Sequence, residues 1–184
     1  TWNVHKNLMS SLSPIVDCGV HYLDVMCQIT ESKPLSVSAI GIRLTEEIPN
    51  DNYNYGQLQI RFADGSVGWY ECAWGPMISE TAFFIKDVIG PKGSVSIISE
   101  DDIHSSDSDN IENHTRNNCL KIHSSELDNN GEFVSPNKKV VYDEDPSHQD
   151  LCDNEQSYFY DSIINDIDLK DHLEDSYKSL QIAL

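Results

Sequence analysis

An alternating run and its return across Asp64-Gly65 constrain this chain most. Residues 55–63 place Leu58, Ile60 and Phe62 at every second position against polar neighbours, the period of a strand with one buried face. Asp-Gly is a turn pair suited to a two-residue hairpin, and residues 66–74 read as the returning strand. A lone hairpin is marginal in water, so its apolar face must be covered by another layer.

The flanking sequence supplies that layer. Ser13-Pro14 reads as an N-cap followed by proline at the first helical position. From there Ile15, Val16, Val20, Leu23, Met26 and Cys27 recur at helical spacing to about Thr30, and Ser32-Lys33-Pro34 ends the run. Residues 35–44 alternate as a strand, Thr81 to Val88 is extended, and Ser94 to Ser99 follows a turn at Gly90-Pro91-Lys92-Gly93. Leu120 to His123 and Lys139 to Tyr142 form two more strands around a turn at Asn129-Asn130-Gly131. Ser147 with Asp150 opens a helix over residues 149–165, and a last amphipathic helix starts near Asp168 and carries Leu173, Tyr177, Leu180, Ile182 and Leu184. Helix, strands, then two helices predict an α+β fold: one open, mostly antiparallel sheet with helices on one face.

A chain of 184 residues is long enough to bury a core without disulfides, and the whole of 1–184 is expected to be one domain. Its 12 basic and 31 acidic side chains give a net charge of -19. That argues against nucleic acid, whose phosphates need Lys or Arg, and against anionic membrane surfaces. The polar stretch from Glu100 to Asn118 reads as a solvated loop. No run approaches the ~18 apolar residues of a membrane span. Five scattered cysteines make no disulfide framework, which favours a reducing, cytoplasmic setting. The opening Thr1-Trp2, without an initiator methionine, suggests a piece of a longer polypeptide.

The chemistry-bearing element is Asp17-Cys18-Gly19-Val20-His21-Tyr22-Leu23-Asp24. Asp17 and His21, four apart, share a helix face one turn from each other. A carboxylate beside an imidazole makes a proton-handling pair; the plainer alternative is an acid favoured by the helix N-terminus beside a surface histidine. Metal-ligand pairs are weaker: Cys119 with His123 falls on a strand, where residues four apart are not adjacent, and His148 with Cys152 and Cys18 with His21 lack the tighter paired spacing of structural zinc. Asp107-Ser108-Asp109 lacks the glycine and closing glutamate of a calcium loop, and Asn113-His114-Thr115 is a chance-level glycosylation triplet. No metal is expected.

These residues carry a resemblance. Asp17 to Asp24 resembles the D-x-G-x-H-x-x-D helix in the C-terminal domain of the glucose–fructose oxidoreductase / inositol dehydrogenase (Gfo/Idh/MocA) family. Pro34 to Ala39, Phe62-Ala63-Asp64-Gly65-Ser66-Val67-Gly68 and Gly90 to Val95 are similar to the strand and turns that follow it. Phe159 to Ile164 and Asp171 to Leu184 resemble the closing helix pair. The resemblance implies a dihydrodipicolinate-reductase-like C-terminal domain of a two-domain dehydrogenase. That domain would bind substrate and oligomerise through its open sheet.

Hydride transfer between a sugar, polyol or related hydroxy compound and NAD or NADP is the implied activity. The cofactor would be held by an N-terminal Rossmann domain that this sequence does not contain: it has no strand–GxGxxG–helix unit, and Lys33-Pro34 follows Ser32 rather than the family's Glu. Ser11-Leu12-Ser13-Pro14 also departs from the Gly-rich stretch that members often carry there. By the same resemblance, His21 is the acid/base at the substrate hydroxyl and Asp17 holds the substrate or a catalytic lysine. Asp24, one turn past His21, is a candidate substrate contact, with an orienting or solvated role the plainer one. Trp74, on a strand with Tyr70 and Glu71 that could face the pocket, is a candidate to stack on a sugar ring, with core or interface packing the plainer role for all three. Without the N-terminal domain the chain is expected to be inactive. The alternative is a non-catalytic, dehydrogenase-like domain used for protein–protein assembly.

Overall fold

The computed structural model describes residues 2–77, 87–98, 119–142 and 146–184. In chain order these form helix α1 (Trp2–Leu8), a π-helical turn (Ile15–Gly19) running into α2 (Val20–Thr30), strands β1 (Pro34–Ile42), β2 (Tyr55–Phe62) and β3 (Val67–Ala73), strands β4 (Asp87–Gly90), β5 (Gly93–Ile97), β6 (Cys119–Ser124) and β7 (Lys138–Val141), and helices α3 (His148–Ile164) and α4 (Lys170–Ala183). The α+β class is as expected. Two compact units are present, one of Thr1–Ser79 with Asn165–Leu184, the other of Glu80–Ile164.

In the first unit β1, β2 and β3 pair antiparallel in that order. The alternation in β2 buries Leu58, Ile60 and Phe62 on one face. There they meet Ile15, Leu23 and Cys27 from the helical run and Ile182 from α4. Each such apolar side chain removed from water contributes roughly 1.5–3 kcal/mol. The hairpin forms at Asp64-Gly65, with three residues rather than two between its closing pair: Phe62 N–H donates to the Ser66 carbonyl at 3.0 Å, and Asp64 Oδ1 accepts from Ser66 N–H at 3.0 Å and Ser66 Oγ at 2.7 Å. Side chains directly opposite in an antiparallel pair share a face. The outward face therefore carries Ile40 and Ile42 from β1, Tyr55, Gln57, Gln59 and Arg61 from β2, and Val67, Trp69 and Glu71 from β3.

In the second unit the antiparallel order is β4-β5-β6-β7. Gly93 opens β5 at φ 141°, and a Cβ there would collide with the His123 carbonyl oxygen of β6; only glycine lets the two strands meet. The β6–β7 connection turns at Asp128, whose Oδ1 accepts from Asn130 N–H at 2.8 Å and Glu132 N–H at 3.0 Å. α3 opens with a reciprocal cap: Ser147 N–H donates to Asp150 Oδ2 at 3.0 Å, and Asp150 N–H to Ser147 Oγ at 3.2 Å.

Among the described residues the strands pair as a three-stranded and a four-stranded antiparallel sheet, and Gly75, at φ 147°, follows β3. α1 is a helix that no sequence signal announces. It is held by distant partners, since Trp2 Nε1 and Lys6 Nζ each donate to the Glu47 carboxylate at 3.1 Å. The expected extension from Thr81 falls outside the described residues up to position 86, as do the loop from Glu100 to Asn118, the calcium-like run and the glycosylation triplet. Among the described residues no helix is long and apolar enough to cross a membrane.

Candidate functional site

Ser13 starts the helix that bears the motif, its Oγ accepting from Val16 N–H at 3.2 Å. The chain does not enter an ordinary α-helix there. Ile15 to Gly19 form a π-helical turn before α2 begins at Val20, and such turns occur often at functional sites. Asp17 therefore sits in the π turn and His21 in the first turn of α2. The run ends where Glu31 takes a left-handed conformation, φ 48°, and donates its N–H to the Cys27 carbonyl at 3.0 Å.

Gly19 sets the distance of this helix from the sheet. A Cβ there would lie 2.8 Å from Tyr70 Cε1 on β3, so the absent side chain makes room for the tyrosine ring. Tyr70 in turn stacks on Tyr22, with centroids 5.3 Å apart and planes 26° from parallel. Tyr70 and Cys72 face the helix, whereas Glu71 points to the other side of the sheet and accepts from the Tyr55 hydroxyl at 2.8 Å. Of the residues grouped on that strand, Tyr70 belongs with the motif and Glu71 does not.

Burial pushes the Cys18 thiol up to about 12, with the Asp17 carboxylate and Cys72 adding to the rise. Burial likewise raises Cys72 to about 11, and raises both Tyr70 and Tyr22. Removing water from a group that becomes negative disfavours its charged form. These thiols and phenols thus stay protonated; they pack and donate, and none is an activated nucleophile. Cys18 Sγ donates to Asp17 Oδ2 at 3.7 Å. Asp17 is half-buried and His21 exposed. The structure sets them on successive turns, but among the described residues no hydrogen bond or ion pair joins one to the other.

Asp24 is engaged by the protein on both oxygens. Its Oδ1 accepts from Ser179 Oγ of α4 at 3.1 Å, and its Oδ2 from Gln28 Nε2 at 2.7 Å. Trp74 is half-buried just past β3, and Asn54 clamps its backbone: Trp74 N–H donates to the Asn54 carbonyl at 2.7 Å, and Asn54 Nδ2 to the Trp74 carbonyl at 2.7 Å. Asn54, fully buried, also accepts from Leu44 N–H at 2.7 Å. One carboxamide thus joins the chain beyond β1 to the chain beyond β3. Neither Asn54 nor Tyr70 has a local sequence signature, whereas Gly19 is legible within the motif.

An open depression of about 860 Å³ lies at the far end of α2, lined by Cys27, Glu31, Lys33, Val37, Lys178 and Ile182 among others. Cys27 is ten residues beyond Asp17, about 15 Å along a helix, so this depression is not where the motif acts. The candidate metal pairs separate as follows. His148 Nε2 lies 3.6 Å from Cys152 Sγ. Cys119 is buried in β6, while His123 Nδ1 meets Asn137 Oδ1 at 2.8 Å. Among the described residues no three His, Cys, Asp or Glu side chains are grouped to hold a metal ion. All five cysteines are free thiols.

Residues 1–96, more than half of the chain, match the GFO/IDH/MocA C-terminal domain. The chain belongs to the GFO/IDH/MocA family. No protein of curated function matches it by sequence. Solved structures share its fold at low identity. An oxidoreductase from Agrobacterium radiobacter, in complex with NAD+, L-tartaric acid and magnesium, superposes with a TM-score of 0.59 at 14% identity, over 92% of this chain and 44% of that one. An aldose-aldose oxidoreductase from Caulobacter crescentus complexed with glycerol gives 0.60 at 17%, over 92% and 42%. A UDP-N-acetylglucosamine 3-dehydrogenase from Acidithiobacillus ferrooxidans gives 0.60 at 15%, over 94% and 46%. This chain thus spans less than half the length of each of these structures.

Proposed function

We propose that the chain is the C-terminal, substrate-binding and oligomerisation domain of an NAD(P)-dependent oxidoreductase acting on a sugar, polyol or related hydroxy compound. The observation that carries this reading is the helix from Asp17 to Asp24, seated on β3 by the fit of Gly19 against Tyr70, in a chain of the GFO/IDH/MocA family. The names of the related structures, among them an NAD+ complex and two sugar oxidoreductases, support the cofactor and substrate class.

The residues present do not fit the dinucleotide. The sequence has no Gly-rich turn of the GxGxxG kind, and among the described residues no strand passes through such a turn into a helix. Binding NAD or NADP would fall to an N-terminal Rossmann domain outside these 184 residues, and the chain alone is read as inactive. When bound, a nicotinamide supplies the hydride acceptor or donor. The part of this chain is to hold the substrate and move its hydroxyl proton. His21, exposed on the first turn of α2, is the acid/base; Asp17 on the preceding turn orients the substrate hydroxyl or a lysine from the partner domain.

Replacing His21 with Ala in a polypeptide that includes the nucleotide-binding domain should cut turnover by about two to four powers of ten. A loss below about threefold would remove His21 from proton transfer. The coding sequence upstream of Thr1 gives a second check: a strand–GxGxxG–helix unit followed by Glu-Lys-Pro supports the enzyme. The second reading is a non-catalytic assembly domain, which would use the same oligomerisation surface. The outward face of the β1–β3 sheet exposes Ile40, Ile42, Val67 and Trp69, a surface suited to pairing with another subunit. A start codon just before Thr1 would favour that reading.

A further inference from the structure

We propose that Asp24 is a positioning residue, tying the motif helix to α4 through Ser179 and so fixing the pose of His21. This rests on the oxidoreductase reading above and adds to it. The bond from Ser179 Oγ to Asp24 Oδ1, 3.1 Å long, joins residues 155 positions apart. Ser179 is 1% exposed, and its hydroxyl also faces the Asp175 carbonyl at 3.0 Å, so its proton is shared between its own helix and α2. On the other side of the carboxylate, Gln28 Nε2 holds Oδ2 at 2.7 Å, which sets the rotation of the group.

Beyond the Asp24–Ser179 bond α2 and α4 meet through apolar side chains that include Leu23, Cys27 and Ile182, and Lys178 of α4 adds a Coulombic attraction to Asp24. Such contacts are non-directional and resist sliding or rolling poorly; a hydrogen bond is directional. His21 stands three residues before Asp24 and therefore on the same side of the helix. A roll of α2 that breaks the Asp24–Ser179 bond moves the imidazole with it. A displacement of about 1 Å in a group that must meet a substrate hydroxyl can cost on the order of 100-fold in rate.

The test uses Asp24→Ala, Asp24→Asn, Ser179→Ala and the Asp24→Ala/Ser179→Ala pair. In thermal unfolding of the 184-residue chain, each Ala change should lower the midpoint and the pair should fall no further than Asp24→Ala alone. Additive losses overturn the tie. Turnover is then measured in the polypeptide with its nucleotide-binding domain, well below the unfolding midpoint. Asp24→Ala and Ser179→Ala should each lower kcat about tenfold with KM unchanged. Asp24→Asn, which keeps an acceptor oxygen for Ser179, should recover most of the rate.

A raised KM for Asp24→Ala with normal kinetics for Ser179→Ala overturns the proposal, because the carboxylate then meets substrate directly. Unchanged kcat in both also overturns it, leaving a purely structural bond. Should Asp24→Ala fail to fold, Ser179→Ala removes a single oxygen and decides the question. If His21→Ala leaves turnover intact, the oxidoreductase site fails and the positioning role with it, while the unfolding cycle still reports on the tie.

Discussion

Cys18 and Cys72 hold their protons well past the pH at which an exposed thiol ionises, and this has a signed consequence for stability. An unfolded thiol loses its proton near 9.0, whereas the folded values stand at about 12 for Cys18 and about 11 for Cys72. Between those limits the native chain binds more protons than the unfolded one, so stability falls as pH rises. The contribution is complete below pH 9 and is lost as pH climbs through the folded values. Tyr70 and Tyr22 shift in the same direction and for the same reason. The thermal midpoint should therefore drop above pH 9, and the Cys18→Ala/Cys72→Ala chain should show a shallower drop. Equal slopes would mean that these thiols are not the groups responsible.

At the scale of elements, the seat of the motif helix on β3 depends on a missing atom. Gly19→Ala places a methyl 2.8 Å from Tyr70 Cε1, and the overpacking should cost about 1–3 kcal/mol. Shortening the ring with Tyr70→Leu in the same chain should return part of that loss; a Gly19→Ala chain that melts with the wild type would place the contact elsewhere. Much at this scale is legible in the sequence. The Asp64-Gly65 hairpin and the alternation of Leu58, Ile60 and Phe62 are local signals, as are Ser13 at the head of the motif helix and the Ser147–Asp150 cap. The π-helical turn is not legible, because the spacing of Ile15, Val16 and Val20 does not separate it from an α-helical start. α1 escapes notice because Glu47, some 40 positions away, holds it. At the site, the grouping of Asp17 and His21 on one helix could be read directly. The partner of Asp24 could not, since it lies at the other end of the chain.

Over the whole molecule, the largest exposed aromatic on the outward sheet face is Trp69, 52% exposed, flanked by Val67 on its own strand. If that face joins subunits, Trp69→Glu should shift sedimentation toward the monomer without moving the unfolding midpoint of the isolated chain. An unchanged sedimentation profile would take the face out of assembly. The first unit also has a property that no single element shows. It is built from residues 1–79 and 165–184, with the other unit between them in sequence. A ribosome makes the sheet and the motif helix well before α4. Until α4 emerges, Leu58, Ile60 and Phe62 lack the cover of Ile182, and closing the intervening loop carries an entropic cost. Folding of this unit is thus necessarily late relative to synthesis. A truncation that removes α4 should leave an aggregation-prone remnant rather than a smaller folded domain.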